Sequence, residues 1–249
     1  MKNPKISIIT ASYNAVSTIE KTILSIINQI YPNIEYIIID GGSTDGTVDI
    51  IKKYEDKIAY WISEPDKGIY DAWNKGLNVA HGDWIEFIGA DDFLLNNISE
   101  DLYRLLQDQD IASFDLITAK GKLINKNGKF LKYCGEEFSW TTFRKHMNIC
   151  HGATLHNKNL FNQVGSFDTQ YRYSADYELI LRKKDKLKVL FINKSILIIQ
   201  IGGASYSISG LKESFKIKKK NNILPLYYNL YMFVKAYIGL KIKRIRWQF

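Results

Sequence analysis

Short apolar runs alternate with polar, glycine-containing loops through the first part of the chain. Ile6 to Thr10, Tyr36 to Ile39, Ile58 to Ile62 and Trp84 to Ile88 are such runs. Near-continuous apolar runs of this length fit strands buried on both faces, as in a parallel sheet. Between the first two, Ile19, Ile23, Ile26, Ile27 and Ile30 recur at helical spacing. Ser17-Thr18-Ile19-Glu20 has capping-box spacing and places a helix start at Ser17; Tyr31-Pro32-Asn33 ends it. Helices are also expected from Thr47 to Tyr54 and from Ile69 to Ala80. Strand, helix and strand in this order imply βαβ units and a parallel sheet with right-handed crossovers.

The pattern then changes. A helix is expected from Asn97 to about Gln107, with Ile98, Leu102, Leu105 and Leu106 apolar, followed by a strand from Phe114 to Ala119. Asn127-Gly128 between apolar flanks is a hairpin signal, so antiparallel pairing joins the parallel half and the sheet is mixed. Tyr173 to Glu178 opens another helix. Ile223 to Leu240 is apolar and aromatic but interrupted by Pro225, Asn229 and Lys235, with basic residues on both sides. The expected organisation is a single α/β domain over residues 1–205 and a helical extension over 206–249.

Composition narrows this little. The 249 residues, 46% hydrophobic and 24% charged, are those of a folded globular chain. The net charge of +8 suits anionic partners: nucleotides, nucleic acid or an anionic membrane surface. Two cysteines, Cys134 and Cys150, are too few for a disulfide scaffold and suit a reducing cytosol. The N-terminus runs straight into a strand, so a cytoplasmic protein without a secretory leader is expected.

Candidate chemistry gathers at strand ends. Trp84 to Ile88 leads into adjacent carboxylates, Asp91 and Asp92. In open α/β sheets, ligands bind beyond the carboxyl ends of the strands. Paired carboxylates suit a hard divalent cation shared with substrate phosphates; the plainer reading is a solvated acidic turn. Gly41-Gly42-Ser43-Thr44-Asp45-Gly46 is either a tight turn or a backbone that approaches a ligand closely. It is neither a dinucleotide GxGxxG nor a P-loop. Asp176 or Glu178, near a helix N-terminus, would be stabilised as an anion there, as a capping acid or as a functional one.

The motifs Thr10-Ala11-Ser12-Tyr13-Asn14, Ile39-Asp40-Gly41-Gly42-Ser43-Thr44-Asp45-Gly46-Thr47, Asn74-Lys75-Gly76, Ala90-Asp91-Asp92, Gly165-Ser166-Phe167-Asp168 and Asp176-Tyr177-Glu178 to Arg182 resemble, in order and spacing, those of family 2 glycosyltransferases with the GT-A fold. The resemblance covers roughly residues 4 to 205. It implies an inverting transfer of one sugar from a nucleotide-sugar donor, a UDP-sugar by family expectation with GDP or dTDP open. The acceptor would be a hydroxyl of a glycan or a lipid-linked (polyprenyl diphosphate) acceptor in bacterial surface-polysaccharide or lipopolysaccharide biosynthesis. It also implies a divalent metal, Mn or Mg, held by Asp92. The nucleotide would meet Ala11, Tyr13, Asp40, Asp71 and Asp91, with Tyr13 stacked on the base. Asp176 would be the catalytic base and His151 a possible acceptor or phosphate contact, in a region from Trp140 to His156 that would line the acceptor cleft.

Two departures bear on those roles. Ala90 replaces the first acidic residue of the usual metal motif, and Gly41 stands where many relatives have a second Asp. No Gln-x-x-Arg-Trp is present; Arg246-Trp247 lacks the Gln, which favours single addition over polymerisation.

The tail suggests a further partner. Lys212, Lys216, Lys218, Lys219 and Lys220 precede the apolar segment and Lys241, Lys243, Arg244 and Arg246 follow it. The segment is too short and interrupted for a span, so it is expected to lie in an anionic interface at the inner face of the plasma membrane. Packing on the domain or oligomerisation is the plainer alternative. A sugar nucleotidyltransferase would need a Gly-rich basic loop after the first strand, where Tyr13-Asn14-Ala15-Val16 stands. A nucleic-acid binder would spread its basic residues over a folded face, so no nucleic-acid partner is expected.

Overall fold

The computed structural model describes residues 4–95, 105, 109–125, 127–200 and 207–247, with the side chains of 109, 110 and 243–247 left aside. The helix expected over residues 97–107 lies outside these, apart from Leu105, as does the junction at residue 205.

Strands β1 (Ile6–Ser12), β2 (Ile34–Asp40), β3 (Tyr60–Ser63) and β4 (Trp84–Gly89) are parallel, in the order β3-β2-β1-β4. Helices α1 (Ile19–Ile27), α2 (Thr47–Lys53) and α3 (Ile69–Val79) connect them. The two-residue strand β5 (Phe93–Leu94) follows. Then come the hairpin β6 (Leu116–Ile124) and β7 (Phe130–Cys134), the one-turn helix α4 (Trp140–Phe143), β8 (Thr154–Asn157), α5 (Lys158–Val164), α6 (Ala175–Leu181) and β9 (Val189–Gln200). β8 pairs antiparallel with both β4 and β6, and β6 pairs parallel with β9. One mixed sheet thus runs β3-β2-β1-β4-β8-β6-β9-β5, with β7 on β6. Two helices close the described chain, α7 (Ile208–Lys220) and α8 (Leu226–Trp247).

β1 is buried almost throughout, as its unbroken apolar run implies. Ile6 and Ile8 share one face with Trp84, Ile88 and the α1 side chains Ile19, Ile23 and Ile26. Ile9 points the other way, with Ile37, Ile39, Phe87 and the α3 aromatics Tyr70 and Trp73. Burying each isoleucine contributes about 2 kcal/mol, so the sheet is held from both sides. Gly76 lets α3 lie close: a Cβ there would stand 2.4 Å from Ile9 Cγ2. Asn74 on the same helix brackets residue 167, its amide oxygen accepting from Phe167 N–H (3.0 Å) and its amide nitrogen donating to Phe167 C=O (2.9 Å).

Several expectations are corrected. α1 starts at Ile19, and no capping box forms at Ser17, because Glu20 instead accepts hydrogen bonds from Lys53 and Tyr54 across the helix pair. Ile30 lies beyond α1 and is exposed. β9 follows α6, where no strand was expected. The tail is helical, as expected: α8 begins just after Pro225 and runs unbroken through Asn229 and Lys235, the polar positions in its apolar run. Asn229 is buried and donates to Phe215 C=O (3.1 Å), so a polar side chain joins α8 to α7 rather than ending the helix.

Glu86, on β4 between Ile8 of β1 and Leu155 of β8, is 4% exposed, and its Oε1 has no hydrogen-bond partner. Burial pushes its pKa up to about 8. The unfolded chain would ionise it near about pH 4.3. The protonated group therefore contributes stability that is complete below that pH and is lost as pH rises through about 8. Glu86→Gln should flatten that decline and raise the melting temperature at alkaline pH. Melting curves from pH 5 to 9 check this, and parallel profiles for the two proteins would contradict it.

Candidate active site

The chain leaves β1 toward β2 and β3 on one side and returns to β4 on the other. Strand ends diverge at such a switch point, opening a crevice beyond their carboxyl ends. Here the crevice lies between Ser12-Tyr13 and Gly89 to Asp92.

Asp40 anchors one wall. It is fully buried, and its carboxylate accepts from the hydroxyls of Ser12 (2.8 Å), Ser43 (2.6 Å) and Ser63 (2.6 Å) and from the N–H groups of Gly42 (3.1 Å) and Ser43 (2.8 Å). Burial alone would raise its pKa, but these donors outweigh it and hold the carboxyl below the usual range. The glycines that follow permit the fold of this loop, Gly42 and Gly46 both having positive φ (83° and 99°). Gly41 keeps the wall open: a Cβ there would lie 2.6 Å from Asp66 Oδ2 and 3.3 Å from the Tyr13 ring. Tyr13 is 66% exposed and Ala11 half-buried beside Gly89 of β4. Asp71, in the first turn of α3, accepts from Lys67 N–H (3.1 Å).

Asp91 and Asp92 form the opposite wall. Thr22 of α1 fixes their turn: its hydroxyl donates to Asp92 C=O (2.7 Å) and stands 3.0 Å from Ala90 C=O. Desolvation, and then the Asp91 charge, push the Asp92 carboxyl well above the usual range. Desolvation raises Asp91 as well, although its surface remains exposed. Among the described residues no cation pairs with either. Asp92 also approaches the turn at His151: a Cβ on Gly152 would stand 3.9 Å from Asp92 Oδ2.

His151 is buried, stacked on Trp73 (5.1 Å) and Phe87 (5.8 Å), and burial lowers its pKa to about 3. It is therefore neutral, and its Nε2 has no partner. Trp73 packs edge-on against Tyr70 (5.4 Å), whose hydroxyl donates to Asp176 Oδ1 (2.9 Å). The same oxygen accepts from Tyr177 N–H (2.8 Å). Desolvation raises the Asp176 pKa against those two hydrogen bonds. Glu178 is placed differently. It grips Arg182, which donates in turn to Val164 C=O (2.7 Å) and Ser166 C=O (2.8 Å). Of the two acids in that turn, only Asp176 is held by a neutral tyrosine without an ion pair.

The comparisons with known proteins agree with this geometry. Residues 7–169 match the family described as Glycosyl transferase family 2. The chain belongs to glycosyl transferase family 2. A relative named PGL/p-HBAD biosynthesis glycosyltransferase, from Mycobacterium bovis, is 31% identical over 73% of this chain and 70% of its own. An uncharacterised glycosyltransferase of Rickettsia typhi is 27% identical over 85% of this chain and 68% of its own. In fold, the chain is similar to S. aureus TarS 1-349 in complex with UDP-GlcNAc, with a TM-score of 0.69, 15% identity and coverage of 93% of this chain and 71% of that one. It spans 42% of a longer TarS structure. Mannosyltransferase PcManGT from Pyrobaculum calidifontis, in complex with GDP-Man and Mn2+, gives a TM-score of 0.64 at 16% identity, over 94% of this chain and 69% of that one.

The fold of this family 2 transferase is therefore GT-A, and the nucleotidyltransferase alternative falls away. Among the described residues no group of three His, Cys, Asp or Glu converges on one point. The two adjacent carboxylates, without a cation partner and with raised pKa values, nonetheless suit a hard divalent cation shared with substrate phosphates.

Three residues in this transferase escaped the sequence reading. Tyr70 carried no signal beyond its place in the first turn of α3, yet it holds Asp176. Asp66 looked like loop, yet it overhangs Gly41; its only signal was a place just past a strand end. Glu213 of α7 accepts from the N–H groups of Arg172 (2.8 Å), Tyr173 (2.7 Å) and Ser174 (3.0 Å), the residues that lead into α6 and Asp176. Cys134 and Cys150 also meet, 16 positions apart, with the Cys134 thiol donating to Cys150 Sγ (2.8 Å).

Two outcomes are expected. Tyr70→Phe removes a donor that lowers the Asp176 pKa. The acid limb of its pH–kcat profile should therefore move to higher pH, and an unmoved limb would contradict the assignment. Glu213→Ala should release the Asp176 approach and lower kcat by about 10–100-fold, a cost in line with slight misplacement of a reacting group. Nucleotide affinity, measured by calorimetry, should stay unchanged.

Proposed function

We propose that this transferase moves one sugar from a nucleotide-sugar donor, a UDP-sugar, to an acceptor hydroxyl with inversion at the anomeric carbon. The observation that carries this reading is Asp176: one carboxylate, free of ion pairs, with a raised pKa and a neutral tyrosine to orient it. An alcohol is a weak nucleophile near neutral pH, and a base with a raised pKa takes its proton more readily. Asp176 accepts the acceptor hydroxyl proton as the oxygen attacks the anomeric carbon. The bond from that carbon to the diphosphate breaks on the opposite side, and its electron pair leaves with the nucleoside diphosphate. A single displacement needs one base and inverts the carbon.

Asp92, with Asp91 beside it, would hold a divalent cation, Mn or Mg, which supplies positive charge to the departing diphosphate. Tyr13 would stack on the base, and Asp66, Asp71 and Ala11 would line the nucleotide pocket. Asp40, with its carboxylate already engaged five times, acts by shaping that pocket. The complex of a fold neighbour with UDP-GlcNAc supports UDP, and the relative named PGL/p-HBAD biosynthesis glycosyltransferase supports a role in a biosynthetic pathway; the acceptor we propose is a glycan or lipid-linked hydroxyl.

Calorimetric titration with UDP, GDP and dTDP, with and without manganese, tests the reading. UDP should bind in a metal-dependent manner, and Asp92→Asn should abolish the metal dependence. Asp176→Asn should still bind nucleotide but lose turnover by about 10²–10⁴-fold. A folded protein that binds no nucleotide would overturn the proposal.

A further inference from the structure

The outer face of α8 is apolar. Tyr227, Leu230, Tyr231, Val234, Ile238 and Ile242 are each 47–78% exposed. At about 100° per residue they fall within an arc of roughly 120°. The inner face is already used: Asn229 bonds to Phe215 C=O, Phe233 packs on Phe215 (5.6 Å), and Leu240 is buried. The stripe is therefore surplus to folding, and a contiguous exposed apolar stripe marks an interaction surface.

Charge indicates the occupant. From residue 214 to 249 the chain has no Asp or Glu. Lys212, Lys216, Lys219 and Lys220 of α7 and Lys235 and Lys241 of α8 are exposed, and by its spacing Lys241 lies within the apolar arc. A second copy of the same face would set like charges against each other, whereas anionic headgroups would neutralise them. Tyrosines at the water boundary, with an apolar body and a polar tip, suit a headgroup region. No described helix is long and apolar enough to cross a membrane.

We propose that the outer face of α8 docks flat on an anionic lipid bilayer, with its apolar stripe in the interface and its lysines, joined by those of α7, on the headgroups. This goes beyond the transfer chemistry and does not depend on it. Its inner side binds α7, and α7 holds residues 172–174 through Glu213, so the docked surface lies one helix away from the Asp176 loop.

The test is flotation of the full chain with vesicles of zwitterionic lipid alone and with anionic lipid added. Binding should require anionic lipid and weaken with salt. The triple variant Tyr231→Ser, Val234→Ser, Ile238→Ser should float at least about tenfold less, while its melting temperature and its nucleotide binding stay as in the parent. Lys212, Lys216, Lys219 and Lys220 changed together to Gln should lose the preference for anionic vesicles. Equal flotation of parent and triple variant, or binding without lipid selectivity, would overturn the proposal. So would a lipid-free dimer, seen by sedimentation, that the triple variant converts to monomer while the parent ignores vesicles.

Discussion

Asp40 is where the ends of three strands meet. A carboxylate removed from water is tolerated only when its lone pairs are filled, and here three serines and two backbone N–H groups fill them. Ser12 comes from β1, Ser63 from β3, and Ser43 from the loop that follows β2. The requirement therefore fixes that loop against its neighbours, which places Gly41 beneath Tyr13 and Asp66. Its lowered pKa means the anion is favoured in the fold, a stability present above the ordinary aspartate range and lost in acid.

The other acids of the crevice are held in the opposite way. Asp91, Asp92 and Asp176 all have raised pKa values, each chiefly through desolvation, and Asp92 also through its neighbour. These groups cost stability when ionised. Carboxyl groups perturbed in this way cluster at functional sites. Thr22 supplies the restraint that keeps the Asp91-Asp92 turn in place, through two carbonyls rather than through the carboxylates themselves. The carboxylates stay free for ligands because the backbone carries the positioning.

The C-terminal helices belong to the same mechanical unit. Ile217 is fully buried against Phe143, Tyr177 and Leu181. Lys218, its pKa lowered by burial to about 8, donates to Lys145 C=O (2.9 Å). Glu213 binds the backbone ahead of Asp176. α7 thus faces inward to the loop that leads into Asp176 while α8, packed upon it, presents its free face outward.

Much of this was legible in the residues. The unbroken apolar runs specify strands buried on both faces, and strands that alternate with helices specify a parallel sheet. Asp40, Asp91 and Asp92 then necessarily fall at carboxyl ends, because their position relative to each run is local. What local pattern does not contain is the partner. Glu20 has capping-box spacing, but Lys53 and Tyr54 compete for it from another helix. Asp176 and Glu178 look equivalent until Tyr70, brought in by the fold, takes Asp176, while Glu178 pairs with Arg182 one helical turn on. The interior of β9 carries Asn193, Lys194 and Ser195, which mask its strand character until β6 pairs with it. α8 is apolar on nearly every side, so periodicity cannot say which face packs; α7 decides that by covering one of them. The amino-acid sequence by itself determined which segments must be buried and in what order they alternate, because burial pattern is a property of neighbouring residues. Tertiary structure alone decided how Asp40, Asp91, Asp92 and Asp176 are held and which apolar face remains uncovered, because those depend on groups that meet only when the chain has closed.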